Sequence, residues 1–298
     1  MPVAKWTVPL MRFRPGFQRM AKDLSSFFHL HMISDATGET LSAVARAVTV
    51  QYSQVRAIEH VHPLVRTKRQ LDRVVQEIEA TPGIVLYTLV NETLAEDLEE
   101  RCQKLNVPCI AILRTIMQVF ESYLGAASTP TVGGQHVLDI DYFRRIDALN
   151  FTMMHDDGQM ADELDESDIV LIGISRTSKT PTSIYLANRG FKTANVPIVP
   201  DLPLPPRLDA PKKAFVVGLI ASPEHVAQIR RNRVLTLADR ELKEYVDRDA
   251  ISAEIAFTRR LCARHRWPLI DVTRRSIEET AASILKLYHD RQATMVEA

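Results

Sequence analysis

The sequence is poor in cysteine and carries no excess of either charge. Its 298 residues include three cysteines, Cys102, Cys109 and Cys262, and no two of them form a C-x-x-C pair. This excludes a zinc or redox motif of that type and is typical of a reduced, cytoplasmic protein. Lys plus Arg number 37, as do Asp plus Glu. The chain therefore has no overall field that would hold nucleic acid or an anionic membrane surface, and we expect neither as a partner.

Long hydrophobic runs are also absent. The apolar stretches, such as 84–86 and 169–174, have the length of strands, whereas a transmembrane helix needs about 18 or more apolar residues. Apolar residues make up 46% of the chain and charged residues 25%, which is close to the average for globular proteins and excludes disorder for most of the chain. The length leaves room for two medium domains or one large domain.

The first 26 residues differ in composition from the rest. Residues 1–22 contain five basic residues and no acidic residue, which suggests a targeting peptide. However, Pro2, Pro9 and Pro15 interrupt any long amphipathic helix, and no apolar stretch reaches signal-peptide length. We expect residues 1–26 to be a disordered extension or the result of a start codon assigned too far upstream.

Beyond residue 26, short runs of β-branched and aromatic residues alternate with helical patterns, which favours an α/β fold with mostly parallel sheets. No repeat of about 20 to 50 residues is visible. The expected strands cover 27–33, 84–90, 107–113, 168–174, 196–199, 215–220 and 269–272. The expected helices cover 39–52, 93–105, 180–189, 239–266 and 276–291, the last capped by Ser276 and Glu279. Five prolines predict an extended loop over 200–211.

A stretch rich in Ser, Thr, Pro and Gly, residues 126–135, precedes a helical pattern that ends at the turn near Gly158. We place a domain boundary in this region. The prediction is an N-terminal α/β domain over residues 27–145 and a second α/β domain over residues 146–298, the second resembling a P-loop kinase.

The segment I-V-L-I-G-I-S-R-T-S-K-T-P-T-S, residues 169–183, nearly fits a phosphate-binding loop. In such a loop a strand enters a glycine turn, backbone N–H groups converge on phosphate, a lysine reaches the terminal phosphates and the next hydroxyl holds Mg²⁺. Gly173, Lys179 and Thr180 occupy these positions at the correct spacing. Ser178 departs from the pattern, because its Cβ enters a backbone region that glycine tolerates best. The alternative is an ordinary strand-to-helix turn. The predicted phosphate-binding residues are Gly173, Ile174, Ser175, Arg176, Thr177, Ser178, Lys179 and Thr180.

Three further segments have a functional and a structural interpretation. The loop S-D-A-T-G-E-T, 34–40, offers backbone donors to an anion at a helix start, but its polar residues are also common caps. The turn H-D-D-G, 155–158, contains Asp156 and Asp157, which are a candidate base and a metal or hydroxyl partner or simply turn residues. His155 alone is a packing or surface residue. The basic cluster Arg230, Arg231 and Arg233 suits a phosphate clamp or a solvated helix face.

Four segments in this order resemble one family: I-S-D-A-T-G-E-T, F-T-M-M-H-D-D-G, G-I-S-R-T-S-K-T-P-T-S-I-Y-L-A followed by N-V-P-I-V-P, and S-I-E-E-T-A. The family is that of the bifunctional regulatory proteins of pyruvate, phosphate dikinase and phosphoenolpyruvate synthetase. The resemblance covers about residues 27–291. Ala36 stands where many members have Gly, and Ser178 where some do. The S-R-T-S-K-T form looks more like the dikinase branch than the synthetase branch, whose loop resembles S-R-C-G-K-T.

The resemblance implies an ADP-dependent serine/threonine kinase that phosphorylates a threonine of its target enzyme and removes the phosphoryl group with inorganic phosphate, forming pyrophosphate. It implies that Asp156 and Asp157 are catalytic candidates and that residues 173–180 bind the nucleotide phosphates. From the phosphate-loop pattern we add Lys179 as a catalytic residue and Thr180 as the residue that holds Mg²⁺. The expected partner is pyruvate, phosphate dikinase, with the synthetase as the alternative, and a homodimer is possible. Two other interpretations remain open: a non-catalytic ADP-sensing binding module, which Ser178 favours, and a P-loop kinase of small metabolites.

Overall fold

The computed structural model describes residues 27–129, 131–134, 140–200, 202–209, 213–234 and 246–296. The expected extension, residues 1–26, lies outside the described residues. The chain divides into two compact units, with the division between residues 137 and 138. It lies a few residues before the boundary expected between 145 and 146, because one continuous helix, Ile140–Met154, crosses that position and packs on the second sheet.

The first unit contains a four-stranded parallel sheet in the order β2-β1-β3-β4. Ile33, Val85 and Tyr87 lie in the core under the helices on one face, and Leu30 and Met32 lie in the core on the other. The strands are β1 (Phe27–Ser34), β2 (Arg56–His62), β3 (Gly83–Thr88) and β4 (Cys109–Ala111), and the helices are α1 (Glu39–Thr49), α2 (Lys68–Ala80), α3 (Glu92–Lys104) and α4 (Arg114–Leu124).

The second unit contains another four-stranded parallel sheet, β6-β5-β7-β8, with the same arrangement of strands in chain order as the first. All five residues of its strand Ile169–Gly173 are buried. The strands are β5 (Ile169–Gly173), β6 (Thr193–Pro197), β7 (Phe215–Ile220) and β8 (Leu269–Asp271). The helices are α5 (Ile140–Met154), α6 (Lys179–Ala187), α7 (Pro206–Asp209), α8 (Pro223–Val234), α9 (Arg248–His265) and α10 (Ile277–Val296), with 3₁₀ turns at Asp156–Gly158 and Ala161–Glu166.

The predicted α/β class with parallel sheets is confirmed. Two parallel sheets of equal strand order occur although the sequence shows no repeat. Within the described ranges, no helix is both long and apolar enough to cross a bilayer. The predicted cap of the last helix is confirmed, since the backbone N–H of Glu279 donates to Ser276 Oγ at 3.1 Å and that of Ser276 to Glu279 Oε2 at 3.0 Å.

Several expected elements have other bounds in the structure; the strand expected over 196–199, for example, is Thr193–Pro197, and the strand expected over 107–113 is Cys109–Ala111. Two further elements differ by more. The segment expected to be entirely extended, 200–211, contains the short helix α7, because Pro206 occupies its first position, where no backbone N–H is needed. The helix expected over 239–266 begins at Arg248, where the Asp247 carboxylate accepts the N–H of Asp249 at 2.7 Å. Residues 239–245 of that prediction lie outside the described part of the chain.

Candidate functional site

The predicted phosphate-binding loop joins the buried strand β5 to the start of α6. Gly173 ends the strand and Lys179 begins the helix. A Cβ on Gly173 would lie 2.4 Å from the carbonyl oxygen of Leu219 in β7. The chain therefore passes too close to the neighbouring strand for any residue other than glycine at this position.

The loop turns through two left-handed residues. Arg176 has φ 74° and Ser178 has φ 58°. The expectation that Ser178 enters a conformation suited to glycine is therefore confirmed, and serine adopts it at a cost of about 1 kcal/mol. The side chain of Ser178 does not cap α6. Because this helix starts without a side-chain cap, its first backbone N–H groups face the loop and suit an anion.

Lys179 is buried at the base of the loop. Its Nζ donates to the carbonyl oxygen of Ile174 at 3.0 Å, and Thr177 Oγ1 donates to the same oxygen at 2.9 Å. Burial lowers the pKa of Lys179 to about 8, although the carboxylates of Asp157 and Asp156 act in the opposite direction. A buried ammonium group in such a loop can neutralise part of the charge of a bound phosphate group.

The acid turn, His155–Gly158, lies against the phosphate loop. Thr180 Oγ1 donates to Asp156 Oδ1 at 3.0 Å across 24 positions of sequence. Asp157 has φ 49° and ψ 39°, which is left-handed for a non-glycine residue. The structure therefore brings together the two predicted sets of site residues, the carboxylates of the turn and the lysine and hydroxyl of the loop.

Asn195 in β6 connects the turn to the loop and was not predicted from the sequence. Its Nδ2 donates to Asp156 Oδ1 and, at 3.2 Å, to Thr180 Oγ1. Its Oδ1 accepts the backbone N–H of Asp157 at 3.2 Å. The strand expected from the sequence begins at residue 196, one position after Asn195, whereas the strand in the structure is Thr193–Pro197. The segment N-V-P-I-V-P, which begins with this residue, contributed only to the family resemblance.

Arg230 in α8 supports the loop from beneath. It is 1% exposed, it forms two hydrogen bonds with the Glu254 carboxylate at 2.7 and 3.0 Å, and its Nη2 donates to the carbonyl oxygen of Ser175 at 3.3 Å. Arg230 therefore neither lies on a solvated helix face nor forms a phosphate clamp that is open to solvent. Arg231 is exposed, and the side chain of Arg233 lies outside the described part of the structure.

His155 is a packing residue. It is 1% exposed, its ring stacks on Phe151 with 3.7 Å between ring centroids, and its Nδ1 lies 2.8 Å from the carbonyl oxygen of Phe151. This position agrees with the prediction from the sequence that His155 is a packing or surface residue and not a catalytic one.

The loop 34–40 lies in the other unit, beside a cavity of about 130 Å³. Ser34 Oγ accepts a hydrogen bond from Thr88 Oγ1 at 3.0 Å, and Asp35 Oδ2 accepts the N–H of Val90 at 2.7 Å. These contacts join β1 to the end of β3. Both polar side chains therefore have structural contacts in the first sheet, but neither caps α1, whose start at Gly38 has no side-chain cap.

Comparison with known proteins places the chain in a family. A model of the kinase/pyrophosphorylase family matches residues 30–285. Relatives named as pyruvate, phosphate dikinase regulatory proteins include one from Chelativorans sp., 61% identical over 88% of this chain and 96% of its own length. A second relative, from Bradyrhizobium diazoefficiens, is 58% identical over 90% of this chain and 96% of its own length. A third, from Afipia carboxidovorans, is 56% identical over 92% of this chain and 99% of its own length. The chain therefore belongs to the kinase/pyrophosphorylase family of pyruvate, phosphate dikinase regulatory proteins.

Proposed function

We propose that this protein regulates pyruvate, phosphate dikinase by reversible phosphorylation of a threonine. In one direction it transfers a phosphoryl group from ADP to the threonine, and in the other it transfers that group from the phosphothreonine to inorganic phosphate. The observation that carries the proposal is the hydrogen bond of 3.0 Å between Thr180 in the phosphate loop and Asp156 in the acid turn. It joins a phosphate-binding element to a carboxylate pair, as phosphoryl transfer to a hydroxyl group requires.

The loop supplies the anion-binding half of the reaction. Residues 173–180 present backbone N–H groups at the uncapped start of α6, and the Lys179 ammonium lies within the same loop. The β-phosphate of ADP and inorganic phosphate carry the same chemical group. A single donor set therefore serves both directions of the reaction.

The residues beside the loop fit a magnesium ion. Mg²⁺ in phosphoryl-transfer sites is usually held by one or two carboxylates or hydroxyl groups and by the substrate phosphates. Thr180 and Asp156 would hold it here, and the ion would neutralise charge on the phosphates. In the described part of the chain, no cluster of three or more His, Cys, Asp or Glu residues is arranged to hold a metal by itself, so this site would be completed by the substrate.

The two carboxylates have different surroundings, which suggests different roles. Asp156 accepts hydrogen bonds from Thr180 and Asn195, and we assign it to the magnesium side of the site. The charge of Asp157 acts on Lys179 more strongly than that of Asp156. We assign Asp157 as the general base, close to the group that would hold the transferred phosphate.

The chemistry balances with these residues. In the kinase direction the threonine oxygen bonds to the β-phosphorus of ADP, the bond from that phosphorus to the bridging oxygen breaks, AMP leaves, and Asp157 takes the hydroxyl proton. In the other direction an oxygen of inorganic phosphate bonds to the phosphorus of phosphothreonine, the threonine oxygen leaves and takes a proton from Asp157, and pyrophosphate forms.

Reconstitution with purified targets tests the proposal. Pyruvate, phosphate dikinase and phosphoenolpyruvate synthetase are incubated in parallel with this protein, ADP and Mg²⁺, and mass spectrometry measures the phosphate added to each. We expect one phosphate on a threonine of the dikinase, and release of pyrophosphate when inorganic phosphate is then supplied. Modification of the synthetase alone would reassign the target. ADP binding without modification of either would support the binding module instead.

Paired variants test the roles of the two carboxylates. Asp157→Asn keeps the shape of the side chain and removes the proton acceptor, so transfer should fall by about 100- to 10,000-fold with ADP affinity retained. Asp156→Asn should raise the Mg²⁺ concentration needed for half-maximal transfer. If both variants transfer phosphate at the wild-type rate, the turn has a structural role only.

The rival interpretation as a binding module is weakened by the loop itself. Its sequence argument was Ser178, which departs from the glycine of the motif. Because Ser178 adopts the left-handed conformation that glycine favours, this departure is compatible with the turn that the motif requires.

A further inference from the structure

Asn195 is a polar residue inside a buried strand. It is 1% exposed and pairs with Leu171 of the central strand β5. A buried carboxamide without partners is costly, since desolvating it takes about 1–3 kcal/mol. If the residue were needed only for the packing of β6, an aliphatic side chain would be sufficient. The identity of this residue therefore requires an explanation from the groups that its carboxamide contacts.

Those groups all belong to the proposed site. The two hydrogens of Nδ2 are directed to Asp156 Oδ1 and to Thr180 Oγ1, the latter at 3.2 Å, and Oδ1 accepts the N–H of Asp157 at 3.2 Å. The backbone N–H of Asn195 also donates to the carbonyl oxygen of His155 at 3.0 Å. One residue thus contacts the acid turn at three points and the phosphate loop at one.

The contact with Asp157 concerns its backbone. A left-handed conformation costs a non-glycine residue about 1 kcal/mol, and Asp157 adopts it with φ 49°. Its N–H is bound to Asn195 Oδ1, which favours this conformation over the alternatives. The direction of the Asp157 side chain is thereby set by a residue from a different element.

We propose that Asn195 is a positioning residue for phosphoryl transfer, whose carboxamide holds Asp156 against Thr180 and holds the Asp157 backbone in the conformation that directs its carboxylate to the loop. The inference rests on the proposed function. It extends that function to a residue of the sheet that touches neither the nucleotide nor the target threonine.

Several charged groups surround this carboxamide. Asp156 and Asp157 come from the turn. Lys179 comes from α6, and Arg176 in the loop and Arg230 from α8 act to lower its pKa. His155 is the first residue of the turn, and its Nε2 lies 3.6 Å from Glu163 Oε2.

The first test is Asn195→Asp, which keeps the shape of the side chain, removes the two Nδ2 hydrogen bonds and adds a negative charge beside Asp156. The added carboxylate repels Asp156 and removes the contacts that hold it against Thr180. The turnover rate at saturating ADP should therefore fall by about 10- to 100-fold, while ADP affinity by calorimetry without Mg²⁺ stays at the wild-type level. The control is Asn188→Asp, an exposed residue just after α6 whose Nδ2 donates to the carbonyl oxygen of Ile184 at 3.1 Å. It carries the same change in charge and should keep the wild-type turnover rate and ADP affinity.

The second test is Asn195→Ser, which removes the carboxamide without adding charge. The turnover rate at saturating ADP should fall by about 10- to 100-fold. ADP affinity by calorimetry without Mg²⁺ should stay at the wild-type level, because the loop residues that bind phosphate are unchanged. A residue needed only for folding would lower the melting temperature without this separation of rate from affinity.

The outcomes are separable from those of the proposed function. If the wild-type protein phosphorylates no target, the proposed function fails before any variant is measured. If the wild type is active and Asn195→Asp keeps the wild-type turnover rate, the inference about Asn195 is overturned. If Asn195→Asp does not fold, the result for Asn195→Ser decides. The inference is overturned if this variant has the wild-type turnover rate, or if its turnover rate and its ADP affinity fall by the same factor.

Discussion

Replacement of Lys179 by methionine should change stability and binding in opposite directions. The lysine is 6% exposed, and burial lowers its pKa from 10.5 to about 8. Since a tenfold change in proton affinity corresponds to about 1.4 kcal/mol, keeping this side chain charged in the folded protein at neutral pH costs about 3 kcal/mol. The site therefore retains a buried charge at the expense of stability, as residues that bind charged substrates commonly do.

Lys179→Met removes that cost and also removes the hydrogen bond to Ile174, which contributes about 1 kcal/mol. The free energy of unfolding at pH 7 should therefore rise by about 2 kcal/mol. The pH dependence has a definite sign. Between pH 8 and 10.5 the unfolded chain binds more protons at Lys179 than the folded chain does, so the wild type gains stability as the pH rises. The advantage of the variant should disappear over this range.

Urea unfolding followed by circular dichroism at several pH values measures the change in stability, and calorimetry with ADP measures the change in binding. ADP affinity should fall by about 30- to 1000-fold, the loss expected for one buried charge-assisted phosphate contact of about 2–4 kcal/mol. Lys286→Met, on an exposed position of α10, is the matched control and should leave both quantities unchanged. A Lys179→Met protein that is less stable than the wild type at pH 7, or that binds ADP equally well, would refute the reasoning.

Three further predictions concern the loop and the first sheet. Ser178→Gly should raise the free energy of unfolding by about 0.5–1 kcal/mol with activity retained, because glycine adopts φ 58° without strain; a loss of stability in urea titrations would contradict this. Gly173→Ala should lower the free energy of unfolding by about 1–3 kcal/mol and weaken ADP binding, because the new Cβ would overlap the carbonyl oxygen of Leu219; unchanged ADP affinity would show that the loop tolerates the shift. Burial lowers the pKa of His31 and of His62 below 6.5, so the unfolded chain takes up more protons as the pH falls below 6.5 and stability should decrease, by at most about 1.4 kcal/mol per pH unit for each histidine. Equal stability above and below pH 6.5 would argue against this last expectation.

The elements that were predicted correctly are those with a strong local signal. Strand β7, Phe215–Ile220, matches its expected bounds because its apolar run is short and buried on both faces. The strand, loop and helix around Gly173 and Lys179 follow from a motif in which each residue has a local backbone requirement. By contrast, β2 was not expected. It is an edge strand in which four charged or histidine residues are mixed with three apolar ones without regular alternation, and every position is at least partly exposed. Its pattern therefore does not stand out from a loop.

The sequence by itself determined the α/β class and the strand, turn and helix start of the predicted phosphate-binding loop, since hydrophobic periodicity and loop spacing act between near neighbours in the chain. Only the tertiary structure decided that Thr180 donates a hydrogen bond to Asp156 and that Asn195 contacts both residues. The same holds for the support of the loop by Arg230 and Glu254. These contacts join residues 15 to 55 positions apart. They form because parallel strands bring their carboxyl ends to one edge of a sheet, where residues from separate segments meet, and local sequence patterns do not encode which residues those are.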